Sequence, residues 1–312
     1  MSESKSESKL PPHWIINQPA DAVRHSLLAA AALDPSVAPL RTHNVLVRTD
    51  WQKDRVAIIS GGGSGHEPSH AGWVAEGMLT AAVCGSVFAS PSTAEVLAAI
   101  LHVTGYAGCP VIVKTYTGDR RNFGLACEHA KAAGKRIELL VVGDDCALPN
   151  RGLGIAGRRG LAGTVLVHKV AGAVAAAGGG LDEVVAEARA AADLVGTVGV
   201  GLQRCRPFGQ PADAPCERIA PGMMELGLGI HGEKGAAVCP IVPCDQMVKT
   251  LLDMLLSQAG GFKYLELQAG DRVALLVTNR GATTPRELGR AARAAMAELR
   301  GRGVSVARCY VG

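Results

Sequence analysis

Aromatic side chains are scarce in this chain, at 4% of 312 residues, although 48% are hydrophobic. A sizeable core must therefore be built from Ala, Val, Leu and Ile. No apolar run is long and charge-free enough to span a bilayer, so no membrane partner is expected. The Ala-rich stretch 170–177 ends in Gly178, Gly179 and Gly180 and reads as a buried helix. No basic block stands out: the net charge is +4 with Lys and Arg scattered, and nucleic acid is not an expected partner. None of the nine cysteines forms a CxxC pair, and Cys239 and Cys244 lack zinc-ribbon spacing. They read as reduced, mostly buried thiols of a cytoplasmic protein. The opening MSESKSESK has no long apolar stretch, and its acidic residues argue against a transit peptide. Residues 1–13 read as a disordered tail. The phosphate loop GxxxxGK[ST] of P-loop ATPases is missing as well.

What remains is an alternation of short β-branched runs and longer helical ones. RVAIIS (55–60), PVIVKTY (110–116) and KRIELLVV (135–142) read as buried strands. Ser92 with Glu95 forms a capping box that opens a helix, and 122–134 reads as a helix stopped by Gly134. This order implies a parallel, twisted sheet covered by helices. Helices are expected over 161–178, 181–195, 246–256 and 285–300. Strands are expected over 196–202, 225–232, 271–277 and 304–311. The Pro-, Arg- and Cys-rich stretch 204–221 reads as a long loop near a domain boundary. The chain ends on what reads as an interior strand, an ending expected of a truncated chain.

The stretch SGGGSGHEPSH (60–70) admits several chemistries. His66 and His70 match the HExxH pattern of zinc proteases, which works only when both histidines share one helix face. Pro68 is tolerated only in a first helical turn, so a helix starting there leaves His66 outside it. The segment also lacks the third glycine of a dinucleotide fingerprint. A strand-to-helix turn fits better, with the helix beginning near Pro68. Such turns lie at the carboxyl edge of parallel sheets, where backbone N–H groups can face a ligand. His66 and Glu67 would project into that crevice, although a plain glycine turn with a capping histidine fits the turn equally well. KTYTGD (114–119) places Lys114, Thr117 and Asp119 at a second strand end, where an Asx-turn cap is the bland alternative. GLGIHGEKG (227–235) leaves His231 sterically open between glycines. A neutral imidazole there is a nucleophile toward carbonyls, while a surface turn histidine is the usual fate of a lone His.

Four segments taken together are specific: GGGSGHEPSHAGWVAEGML, VIVKTYTGDRRNFGLACEHA, GRRGLAGTVLVHKVAGA and MELGLGIHGEKG. They resemble the substrate-binding K domain of dihydroxyacetone kinases, in that family's order, from about Trp14 onward. The resemblance implies two parallel-sheet-rich α/β subdomains. Residues 14–195 would carry the glycine-turn site and 196–312 the nucleophilic histidine. It implies that dihydroxyacetone is held as a hemiaminal on His231. Gly63, Ser64, Gly65 and His66 would hold the triose, with Lys114 and Asp119 lining the site. His66 would be the general base or a hydroxyl-bonding partner and Asp119 the second hydrogen-bonding anchor, the two acting with His231 as the catalytic residues. No metal or cofactor would be bound by this chain. The phosphoryl donor would be ATP-Mg on a separate L domain, or an ADP-bearing phosphorylated L subunit. The resemblance also implies a homodimer. Where the family carries an Asn-Asn-Leu-Gly-Gly-like turn, this chain has Thr278-Asn279-Arg280-Gly281-Ala282. A non-catalytic dihydroxyacetone-binding regulator and a truncated inactive homologue are the alternatives.

Overall fold

Strands whose apolar residues point both ways need cover on both faces, and the first half of the chain is built that way. The computed structural model describes residues 15–148, 157–202, 219–256, 264–279 and 281–312. The expected tail at 1–13 and most of the loop at 204–221 lie outside the described residues. Six strands form one sheet: β1 (Val37–Pro39), β2 (Val45–Arg48), β3 (Ile59–Ser64), β4 (Ala81–Val87), β5 (Cys109–Lys114) and β6 (Ile137–Val142). Their order is β1-β2-β4-β3-β5-β6. The β4-β3-β5-β6 part is parallel, as expected. The β1, β2 and β4 edge is antiparallel, so the sheet is mixed.

The pleat sorts side chains between two cores. Val111 and Val113 of β5 join Phe123, Ala126 and Ala130 of α3 (Thr117–Ala132) and Val96 and Ile100 of α2 (Thr93–Val103). Ile112, between them, points the other way. It meets Val167 and Ala171 of α4 (Thr164–Ala176), Val184 and Ala188 of α5 (Leu181–Leu194) and Leu27 of α1 (Ala22–Leu33). Phe123 is the one fully buried aromatic among the described residues, as the composition led us to expect. Ser92 accepts from the Glu95 N–H and Glu95 reaches back to the Ser92 N–H, completing the predicted capping box of α2.

The second half departs from a parallel design. β7 (Val200–Gly201), β8 (Met223–Leu226) and β9 (Ala237–Pro240) form a small antiparallel sheet. β8 and β9 need only the loop 227–236 between them to pair antiparallel, whereas a parallel pair needs a long crossover. Among the described residues of this half such a crossover occurs once: β10 (Arg272–Val277) and β11 (Ser305–Val311) pair in parallel through α7 (Pro285–Gly301). α6 (Cys244–Leu256) packs against α7 through Val248, Leu252, Ala295 and Leu299. The Asn279 carboxamide oxygen accepts from the Gly281 and Thr283 N–H groups.

The two halves are joined by buried polar groups. The Asp144 carboxylate, just past β6, accepts from the N–H groups of Leu161 and Gly163 and from the Thr197 hydroxyl. The Arg159 guanidinium of the first half donates to the Gly227 carbonyl of the second at 2.6 Å. Among the described residues no helix is long and apolar enough to cross a membrane. Cys84, Cys109, Cys127 and Cys146 are buried free thiols, and Cys239, Cys244 and Cys309 are half-buried free thiols. Burial pushes the Cys84 and Cys127 thiols up to about 12, which leaves them protonated and unreactive at neutral pH.

Candidate functional site

Because β3 and β5 run parallel, their carboxyl ends meet at one sheet edge. Ser64 ends β3 and Lys114 ends β5. The glycines expected to form a turn after the strand are the strand itself: Gly61, Gly62 and Gly63 lie within β3. No α-helix follows near Pro68; a single 3₁₀ turn forms at Ala71–Trp73. His66 and His70 therefore do not share a helix face, and their rings meet edge-on at 6.0 Å. The geometry that the HExxH reading requires is not formed.

The glycines serve close approach. A methyl group at Gly63 would lie 2.9 Å from the Ala89 backbone nitrogen, and one at Gly65 would lie 2.7 Å from the Phe88 ring. Gly65 also adopts φ +103°, which favours glycine. At Gly62 a methyl would stand 3.3 Å from Asp119 Oδ2 and 3.4 Å from Lys114 Nζ. A side chain at Gly62 would thus face the polar groups of the site. The Ser64 hydroxyl is committed to the Gly85 carbonyl at 2.7 Å. Glu67, expected in the crevice, is exposed instead, and its carboxylate accepts from the Gly65 N–H.

Lys114 is buried, 2% exposed, and its Nζ lies 3.2 Å from His66 Nε2. An ammonium can only donate, so that contact puts the lone pair on Nε2 and the His66 proton on Nδ1. Asp119 was expected at a turn; it occupies the first turn of α3, which starts at Thr117 rather than 122. The helix N-terminus favours a negative charge there. Burial nevertheless pushes the Asp119 carboxyl above its ordinary value, with Ser90 and Lys114 opposing the rise. Neither carboxylate oxygen has a well-formed hydrogen bond.

His231 enters from the loop after β8. Its ring lies 5.2 Å from that of His66 and 4.8 Å from that of Tyr116, with Phe88 at 6.0 Å. Its own N–H donates to Glu233 Oε2 at 2.9 Å, and Nδ1 stands 3.8 Å from Glu233 Oε1. The four sequence-predicted side chains His66, Lys114, Asp119 and His231 thus converge. Thr117, named beside them, opens α3.

Tyr116, Phe88, Glu233 and Ser90 complete the site and were not singled out from the sequence. Tyr116 sits inside KTYTGD, where its neighbours drew the attention. Phe88 has a positive φ of 56°, uncommon for a bulky residue, and nothing in its local sequence marks it. Behind the site lie His70 and His168, both fully buried, with rings 5.4 Å apart. Burial, then the Lys114 charge, holds both below the usual histidine value, His168 at about 3.

A sheet covered by helices on both faces, with a lysine, a carboxylate and two histidines gathered at the carboxyl ends of its parallel strands, defines a small-ligand site of the open α/β type. The Dak1 domain model matches residues 29–312, and the chain belongs to that family. It is 45% identical over 302 residues to the triokinase/FMN cyclase of Rattus norvegicus, covering 96% of this chain and 51% of that protein. The crystal structure of the dihydroxyacetone kinase of C. freundii superposes with a TM-score of 0.84 at 42% identity, over 96% of this chain and 54% of that one. A dihydroxyacetone kinase operon co-activator superposes with a TM-score of 0.85 at 32% identity, over 92% and 86%. The chain spans about half the length of the curated kinase relatives it matches.

Proposed function

We propose that this chain is the dihydroxyacetone-binding component of a kinase, acting in the cytoplasm as a homodimer. A separate L domain or subunit would supply the phosphoryl group, from ATP-Mg or as a phosphoprotein. The observation that carries the reading is the meeting of His66, Lys114, Asp119 and His231, four side chains from three distant stretches, at one sheet edge.

The chemistry follows from the groups present. The His231 lone pair adds to the carbonyl carbon of the ketone, and the C=O π pair moves to oxygen. The proton leaving the imidazole N–H ends on that oxygen, giving a neutral hemiaminal. Glu233, near Nδ1, is placed to pass that proton on. Dihydroxyacetone is too small to bind tightly through contacts alone, and a covalent tether also excludes glycerol, which has no carbonyl. The ligand's free hydroxymethyl group would then displace Lys114 from His66 Nε2. Nε2 takes the hydroxyl proton as the oxygen attacks phosphorus and the donor's bond to that phosphorus breaks, ADP leaving when the donor is ATP. Asp119 and Lys114 fix the remaining hydroxyl.

A second reading is a ligand-binding regulator without turnover, favoured by the likeness to the operon co-activator. Native mass spectrometry with dihydroxyacetone, and glycerol as control, tests the binding step. We expect an adduct on the wild type and none on His231→Ala or with glycerol. A folded wild type without adduct overturns the proposal. Phosphate transfer on adding an L component separates the kinase from the regulator.

A further inference from the structure

We infer that Arg159 is a positioning residue for His231, clamping both ends of the loop that carries it. The inference rests on the role proposed above for His231. The loop leaves β8 at Leu226 and re-enters at β9 with Ala237. The guanidinium reaches both feet at once: Nη2 donates to the Gly227 carbonyl at 2.6 Å and Nη1 to the Lys234 carbonyl at 3.0 Å. Nε donates to Asp145 Oδ2 at 2.7 Å. Arg159 is 8% exposed and Asp145 1%, so the charge pair is out of water and each partner needs the other.

The clamp is itself fixed to the rest of the site. Asp145 receives the Ala147 N–H on its second oxygen, and its own N–H donates to the Arg159 carbonyl at 3.0 Å. The next residue, Gly160, packs so tightly that a methyl there would lie 2.6 Å from both Lys114 Cβ and the Val142 carbonyl oxygen. Arg159 is thereby anchored to the strand end that bears Lys114, and through it to His66. Between the feet, the loop holds its shape with the Gly229 N–H on the Glu233 carbonyl and the His231 N–H on the Glu233 carboxylate. Only arginine presents donors in a rigid fork; a lysine can keep the pair with Asp145 but not both carbonyls. A loosened loop spends less time with His231 within reach of the carbonyl, and apparent affinity falls by that fraction.

The test compares wild type with Arg159→Lys. Apparent dihydroxyacetone affinity is read by adduct occupancy, and amide hydrogen exchange is read without ligand. We expect affinity to drop roughly tenfold or more, with faster exchange at residues 228–233 and unchanged exchange in β3, β5 and β6. Absence of adduct on the wild type is a failure of the hemiaminal reading and shows itself before any variant is made. Equal affinity and equal loop exchange in the two proteins overturn the inference, as does faster exchange spread evenly over loop and strands. If Arg159→Lys loses its cooperative melt, Asp145→Asn replaces it, because it keeps the volume while removing the charge partner. A folded Asp145→Asn that matches wild type in both readouts overturns the inference. Weaker adduct formation with selective loop exchange supports it.

Discussion

Asp119 carries a carboxylate that its surroundings penalise when ionised, since burial outweighs the help of Ser90 and Lys114. Its carboxyl titrates higher in the folded chain than in the unfolded one. The unfolded chain therefore gives up this proton first as the pH rises, and the associated stability is present in acid and lost above the ordinary carboxylate range. Keeping such a group argues for a use in binding or catalysis. Asp119→Asn should raise the thermal midpoint at pH 7.5 by about 2–4 °C, the shift that roughly 1 kcal/mol produces in a chain of this size. The gain should shrink as the pH is lowered toward 4, while phosphate transfer with an added L component should be lost. Differential scanning fluorimetry across that range checks the first part. A midpoint at pH 7.5 below that of the wild type would remove the argument.

β3 shows how an element can be hidden by its own composition. Glycine has poor strand propensity, so 61–63 read as a turn; tertiary packing makes it a strand. A methyl at Gly61 would overlap the Val83 carbonyl of β4 and reach 2.9 Å from Phe123 Cζ. Backbone on a paired strand cannot step aside, so Gly61→Ala should cost about 3 kcal/mol. A urea midpoint unchanged from the wild type would contradict that. Elements with strong periodicity were legible: α4, α5, α6, α7, β5, β6, β10 and β11 fall within a few residues of expectation. Ser92 and Glu95 announced α2. The Ala- and Gly-rich β4, the short β9 and the antiparallel edge were not, because their pairing depends on partners distant in sequence, and β7 and β8 cover only parts of the strands expected over 196–202 and 225–232. The site divides the same way. His66, Lys114, Asp119 and His231 sit in recognisable stretches, whereas Phe88, Glu233 and the Arg159 clamp become visible only when distant segments meet.

At the scale of the whole molecule, one sheet is enclosed by helices on both faces, and the site's polar groups sink into it rather than resting on top. His70 and His168 are both buried, with Lys114, His168, His66 and His231 the charged or titratable groups acting on His70, and Lys114 acting on His168. Both rings are held neutral by burial. In the unfolded chain each would take up a proton near pH 6.5, so the folded state is present at full stability above that value. It loses stability as the pH falls toward the depressed folded values, about 3 for His168. Each imidazole should contribute a slope of up to about 1.4 kcal/mol per pH unit. Urea denaturation at pH 7, 6 and 5 measures the sum. His168→Leu fills the same apolar surroundings without a titrating ring and should show a slope shallower by about 1.4 kcal/mol per pH unit between pH 6 and 5. Carboxylates titrate equally in both proteins, so the difference reports this ring together with the relief of His70 from its charge. Equal slopes would mean that His168 is solvated or protonated in the folded chain, and that the floor of the site is wetter than its packing implies.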